Sequence, residues 1–355
     1  MTLTKLGQKQ LNDYNFNYGL SRNAIINGNF DVWQRGTSVA AADATVQFLA
    51  DRWRHYTADD GGTLPTLTFS RQQLTAGSIP NAFFNYRIAA NGTGTSLGNS
   101  SLANLAQKIE NGTRNLAGDG KKVTVSFWAR SDIAGKRLGL NLTQNYGTGG
   151  SPTADEVIKG GTITLTSAWV KYTKTFTTNT LSGKTFGTTF NDSLNFEFWY
   201  QWGTTTGNTF VETSVTAETY GNGYVDIAQV QLCVGDVALP FMPKSEAQEK
   251  IDCQRYCRPL GNDAYFRQTP YTANQLYYNI PINTMRTKPT VILGTEGTDW
   301  QIYTINATAQ TGFSLNTTYG GVDSITLEMI KTSHGLTDSY LFIKTANKNF
   351  LTAEL

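Results

Sequence analysis

The sequence predicts an all-β protein, and three observations carry the prediction. Charged residues make up only 16% of the 355-residue chain while aromatic residues reach 12%. Disordered chains show the reverse, so this is a folded chain whose surface is covered by uncharged polar groups. Those groups are mainly Thr, Asn, Ser and Gly; the branched Cβ of Thr suits a pleated surface, and Asn and Gly supply tight turns. Apolar residues also alternate with polar ones in many short segments bounded by turn-forming clusters, the two-residue period of strands.

Residues 1–22 show no clear period and form an N-terminal arm, extended or partly helical, whose ordering depends on a neighbouring chain. Residues 23–243 read as one large β domain. Its first strand, 24–32, runs through the turn-like Asn27-Gly28-Asn29. Segments 66–69 and 85–88 follow, then 105–110, which stops at the strong turn dipeptide Asn111-Gly112. Segment 122–129 sets Val123, Val125 and Phe127 against Thr124, Ser126 and Trp128, and Leu138, Leu140 and Leu142 recur at every second position. After 162–165 and 169–176 comes the most aromatic stretch, 194–202, with Leu194, Phe196, Phe198 and Tyr200 on one face and Trp199 on the other. Segment 224–234 closes the set. Many short strands at fairly regular spacing predict a sandwich or jelly roll. Residues 244–259 break the pattern: Ser245 can cap a helix, Glu246 sits in its first turn and Pro259 ends it, which gives a linker helix. Residues 260–355 return to alternation at 277–282, 290–293, 300–305, 312–315, 324–329 and 339–343, a smaller C-terminal β-sandwich domain.

The formal net charge of +2, with no clustered basic face, excludes nucleic acid as the partner. No apolar run approaches the ~20 residues of a spanning helix, so no membrane insertion is expected. The N-terminus lacks the apolar segment of a secretory signal, which predicts synthesis in a cytosol. Three cysteines, Cys233, Cys253 and Cys257, are an odd number without a disulfide framework and read as buried thiols. A metal pair at Cys253 and Cys257 would need further ligands, and His55 and His334 are the only histidines.

The stretch Asn23-Ala24-Ile25-Ile26-Asn27-Gly28-Asn29-Phe30-Asp31-Val32-Trp33-Gln34-Arg35-Gly36, followed by Ala50-Asp51-Arg52-Trp53, resembles the opening of a family of tailed-bacteriophage tail and tail-fibre proteins. Further matches follow in the order that family shows: Gln107 to Glu110, Val123 to Ser131, Ile227 to Leu232, Cys253 to Tyr256, Met285 to Thr290 and Ala353 to Leu355. Loops 131–160 and 203–222 carry no family-specific residues. The large domain also resembles jelly-roll carbohydrate-binding modules, with Asn27, Gly28, Phe30 and Asp31 fitting their opening strand and Asp226, Val230 and Leu232 their closing one. These resemblances imply a structural protein of a phage virion, made in the host cytoplasm, that associates with itself as a homotrimer and with other virion proteins. The implied role is a tail-fibre or receptor-binding component that contacts host surface glycan. A capsid fibre, decoration or tail-adaptor protein, and a polysaccharide depolymerase, are the alternatives.

Sugar rings have an apolar face that aromatic side chains cover well. Trp199, Trp202 near the end of its strand, and Tyr146 in the loop Asn145-Tyr146-Gly147 are the expected exposed platforms, while Phe196, Phe198, Tyr200, Trp33 and Trp53 are expected to pack. Catalysis on a glycan needs two facing carboxylates; Glu110 and Glu197 lie on candidate strands but in no catalytic motif, and no nucleophile or phosphate-loop motif occurs, so a non-enzyme is expected. Asp31 and Asp226 offer hard oxygen ligands to a structural calcium ion, the one cofactor the sequence suggests.

Overall fold

The computed structural model describes residues 22–355 apart from 262, 305, 335, 337, 346 and 347, so the expected N-terminal arm, save Arg22, lies outside the described residues. The chain forms two compact units. Thr37–Lys244, with the segment that ends at Asp31 and with Leu355, makes the first; Val32–Gly36 and Ser245–Glu354 make the second.

Twelve strands build the first unit: β1 (Ser38–Ala40), β2 (Gln47–Phe48), β3 (Arg54–Ala58), β4 (Thr66–Gln73), β5 (Phe84–Asn91), β6 (Leu102–Glu110), β7 (Lys122–Ser131), β8 (Arg137–Asn145), β9 (Glu156–Thr164), β10 (Val170–Thr177), β11 (Ser193–Trp202) and β12 (Gly223–Val234). They form two six-stranded sheets, ordered β1-β4-β5-β12-β7-β10 and β2-β3-β6-β11-β8-β9. Every strand pairing is antiparallel, and the chain crosses repeatedly between the sheets, as in a jelly roll. The inner faces meet ring on ring. Phe127 of β7 lies 4.8 Å from Phe198 of β11, Phe176 of β10 lies 6.4 Å from Phe196 of β11, and Phe69 of β4 stacks on His55 of β3 at 3.7 Å. The predicted inner positions Val123, Val125, Leu138, Leu140, Leu142, Leu194, Ile227, Val230 and Leu232 are buried. A short helix, α1 (Gly112–Leu116), follows β6, and the turns α2 (Thr204–Thr206) and Gly207–Val211 follow β11.

Residues 24–32 form no strand, against expectation. The chain reverses through positive φ at Asn27 and Phe30, and only isolated backbone bonds tie it down: Ala24 N–H donates to the Leu232 carbonyl at 2.9 Å and Val230 N–H to the Gly28 carbonyl at 2.8 Å. Gln107 clamps Ile26 by donating to its carbonyl and accepting from its N–H, each at 2.8 Å. Gly28 is required here, since a Cβ would sit 2.0 Å from the Val230 carbonyl oxygen. β12 bulges between Ala228 and Gln231, opposite this loop. Asn27 and Phe30 are therefore buried by a long-range fit that no local alternation reveals.

In the second unit, helix α3 (Glu246–Gln254) is shorter than expected; the Ser245 side chain caps it by accepting from the Gln248 N–H. Pro259 is not its stop but lies in strand β13 (Cys257–Pro259). The remaining strands are β14 (Ala264–Thr272), β15 (Gln275–Pro281), β16 (Thr290–Ile292), β17 (Trp300–Thr304), β18 (Ala309–Gln310), β19 (Ser314–Gly320), β20 (Ser324–Ile330), β21 (Ser339–Ile343) and β22 (Phe350–Thr352). They form a three-stranded sheet, β13-β22-β16, and a seven-stranded one, β18-β17-β21-β14-β15-β20-β19. Leu276, Tyr278, Ile302, Leu327, Met329, Leu341, Ile343 and Leu351 make the core. The Val32–Gly36 segment joins this unit through Gln34, which donates to the Cys257 carbonyl at 2.9 Å, and Arg35, which pairs with Glu354 at 2.7 Å. All three cysteines are buried and unbridged, and no helix among the described residues is long and apolar enough to cross a membrane.

Candidate functional site

The three expected sugar platforms are interior residues, which corrects the reading of Trp199, Trp202 and Tyr146 as exposed rings; they are 2%, 0% and 0% exposed. Tyr146 packs edge-on against Phe186, accepts from Gln144 Nε2 at 3.0 Å and donates to Glu156 Oε2 at 2.6 Å, so it ties loops together. The indole of Trp202 donates to the Thr216 carbonyl at 3.0 Å, beneath the Arg137 guanidinium. The physical reason is the segment after β11. It folds back as α2 and the Gly207–Val211 turn, setting Phe210 on Trp199 at 4.9 Å and 14° and seating Gly207 against Trp202. A loop that returns over its own strand leaves no period to read. Exposed rings in this unit are Phe83 and Phe190 instead.

Trp199 does point away from Phe196 and Phe198, to the outer side of the β2-β3-β6-β11-β8-β9 sheet, where Phe210 and Val211 pack on it and polar residues adjoin it on the neighbouring strands. Strand register sets Trp199 beside Asn104 of β6 and Gly139 of β8, and Glu197 beside Ala106 and Asn141. Arg54 of β3 pairs with Ala106, and Lys159 of β9 with Asn141. One row across the sheet thus reads Arg54, Ala106, Glu197, Asn141, Lys159. Glu197 is 7% exposed, and Asn104 and Asn141 are buried. Five buried polar atoms in these rows make no hydrogen bond: Asn104 Oδ1, both amide atoms of Asn141, Trp199 Nε1 and Arg54 Nε. The large majority of buried side-chain polar atoms are hydrogen-bonded, so this concentration marks the face.

Its electrostatics follow from burial. Burial raises the Glu197 carboxyl above the ordinary range, opposed by Arg54, whose Nη2 is 3.9 Å away, and by Asn141, Trp199 and Lys108. Asn141 and Trp199 lie near enough to favour the carboxylate without reaching it in hydrogen-bonding geometry. Burial also lowers the Lys108 ammonium, and Arg54 adds like-charge repulsion. Lys159 leans on the turn, donating to the Asn208 carbonyl. The floor is therefore amide, indole and carboxyl, and long basic side chains stand around it.

The other predicted residues separate from this face. Glu110 pairs with Ser193, four residues from Glu197 along the ladder, which puts the two carboxyls roughly 13 Å apart along the strands, beyond the ~5–9.5 Å of a glycosidase pair. Asp226 does not fit calcium: it is buried on β12 and accepts from Arg87 Nε at 2.7 Å, Arg87 Nη2 at 2.8 Å and Arg130 Nε at 3.0 Å. Two guanidinium groups already over-neutralise it, and a cation would have to displace them. Asp31 Oδ2 accepts from Asn29 Nδ2 at 2.9 Å. No cluster of three or more His, Cys, Asp or Glu among the described residues could hold a metal ion.

No family model and no curated protein matches the chain. Solved structures similar to it include a family 4 carbohydrate-binding module, at 15% identity and TM-score 0.33 over 59% of this chain and 98% of that one. A family 61 module in complex with β-1,4-galactotriose matches at 11% identity and TM-score 0.31 over 61% of this chain and all (100%) of that one. The enzymatically active domain of bacteriophage CBA120 tailspike protein 4 matches at 11% identity and TM-score 0.31, over 60% of this chain and 21% of that one. Similarity at this level assigns neither a ligand nor a role.

Proposed function

We propose that this protein is a non-enzymatic component of a tailed-phage virion, a tail-fibre or receptor-binding protein that grips host surface glycan on the outer face of the β6-β11-β8 strands. The observation that carries this is the row of buried amide and indole groups that reach no protein partner in good hydrogen-bonding geometry. Leaving such a group unpaired costs about 1–3 kcal/mol, and a sugar offers alternating hydroxyl donors and acceptors that match it. Arg54, Lys108 and Lys159 are long and flexible, so they can swing from the face to admit a ligand and then close on its hydroxyls. The virion setting rests on the tail-fibre-like opening block and the matches that follow it. One site of this kind binds weakly, and a homotrimer raises avidity by presenting several together.

The test is a glycan array and host-cell binding assay with the parent and with Asn104→Ala/Asn141→Ala. Because these amides have few protein partners to orphan, the double variant should keep its stability within ~1 kcal/mol and lose most binding. Equal binding by the two proteins, or no binding by the parent, sinks the proposal.

A further inference from the structure

We infer that the second unit carries its own sugar-binding trough, on the outer face of its seven-stranded sheet where β15, β20 and β19 run side by side. A cavity of about 750 Å³ lies there, lined by Thr272, Asn274, Gln275, Ser314, Asn316 and Lys331 among others. That volume falls within the ~300–1,000 Å³ range of small-ligand sites, and hydroxyl and amide groups share the lining with Ile330 and Gly312. Such walls suit a ligand whose surface is mostly hydroxyl groups.

The walls are held in place from below. Glu328 of β20 accepts from Gln275 Nε2 at 2.6 Å, the Tyr277 hydroxyl at 3.1 Å, Asn316 Nδ2 at 3.0 Å and the Tyr319 hydroxyl at 3.3 Å. Four donors from β15 and β19 therefore converge on one carboxylate. Gln275 and Asn316 are anchored through their Nε2 and Nδ2 donors; the Gln275 carbonyl oxygen also accepts from the Thr272 hydroxyl at 3.1 Å, and that of Asn316 is placed to accept from a ligand. The negative charge is shared among these four groups, and Lys331 adds a cation to the lining, its Nζ over the Phe313 ring at 5.2 Å.

The same carboxylate positions an aromatic pair beyond the cavity's own lining, farther along β15 and β19. Tyr277 and Tyr319 lie 6.0 Å apart, and Tyr319 is 49% exposed although its hydroxyl is tethered. A phenol fixed at its tip with its ring open is what a pyranose stacks upon. Glu328, Gln275 and Tyr277 share one face by strand register, with Leu276, Leu327 and Met329 on the other, in the core, and Asn316 reaches Glu328 from a bulge in β19. The occupant that fits is a short stretch of neutral glycan, one ring on Tyr319 and its hydroxyls toward Gln275, Asn316 and Asn274. This site is independent of the face proposed on the first unit.

The experiment titrates the full chain calorimetrically with soluble gluco-, galacto- and manno-oligosaccharides. The Asn104→Ala/Asn141→Ala background removes the first face, and Tyr319→Ala is added on top. At least one sugar should bind the background protein, and Tyr319→Ala should weaken that binding about tenfold. Thermal melting should fall only slightly, because the ring is half exposed and Glu328 keeps three other donors. Asn274→Ala, outside the Glu328 cluster, should weaken the same sugar. No binding to the background protein by any of the sugars, or equal binding by Tyr319→Ala and Asn274→Ala, overturns the inference. Binding lost in the first-face variant alone would instead leave the first site as the one site.

Discussion

The clearest consequence of the first unit's packing is an acid-labile histidine. His55 is fully buried between the sheets, its ring 3.7 Å from Phe69. Nε2 faces the Gln47 carbonyl oxygen at 3.2 Å and Nδ1 the Tyr86 hydroxyl at 3.0 Å. Gln47 Oε1 can only accept, so the network assigns a neutral ring with the proton on Nε2. Burial drives its pKa from 6.5 down to about 3. A depressed pKa means that the unfolded chain takes up the proton first. The contribution is complete above the unfolded value and is lost as pH falls from about 6.5 towards 3. The linkage relation gives a loss of about 2 kcal/mol at pH 5 and roughly 3 kcal/mol at pH 4. The assay is urea unfolding of the parent and His55→Gln at pH 7 and pH 5. Tryptophan fluorescence reports mainly the relevant unit, because Trp53, Trp128, Trp169, Trp199 and Trp202 lie within it and only Trp33 and Trp300 lie in the other. The variant is less stable at neutral pH, having lost the ring stack, but its loss between the two pH values should be about 2 kcal/mol smaller than the parent's. Equal losses in the two proteins would refute the reasoning, whatever their absolute stabilities.

Other expectations follow from the same packing. Trp202→Ala should destabilise the protein by about 3–5 kcal/mol, read by chemical denaturation, and a change under ~1 kcal/mol would return that ring to the surface. Asp226→Ala should cost about 3–5 kcal/mol by stranding two guanidinium groups. Excess chelator should leave the parent's melting temperature unchanged, whereas a fall on chelation would restore the calcium reading. Light scattering on the purified chain should give three times 39.0 kDa; a mass of one chain would contradict the homotrimer for the free protein.

The sequence shows its strands where neighbours alone decide burial. Segment 122–129 declares both faces, because Val123, Val125 and Phe127 need only a pleat to reach the core. Capping made α3 visible through Ser245, yet its end was not, since the chain turns extended at Cys257 for pairing with Thr352, far along the sequence. The same limit hid the looped character of 24–32, which depends on Gly28 meeting Val230. It also hid the proposed binding face. Alternation placed Trp199 on the outer side, correctly, but gave no sign that Phe210 would cover it. Asn104, Asn141 and Arg54 look like ordinary solvent-facing residues in three separate strands, and only the register of β3, β6, β11 and β8 assembles them. Tyr319 and Glu328 escaped for the same reason.

Nuclear magnetic resonance on the full chain tests the central claim most directly, by following tryptophan indole and asparagine amide signals while polysaccharide from the host surface is added. The indole N–H of Trp199 has no acceptor in good geometry, whereas that of Trp53 is bonded internally to the Asn27 carbonyl at 3.0 Å. Saturable shifts are expected at Trp199 and at the side-chain amides of Asn104 and Asn141, with Trp53 unmoved. Saturable binding that leaves all three of those signals in place would contradict that claim.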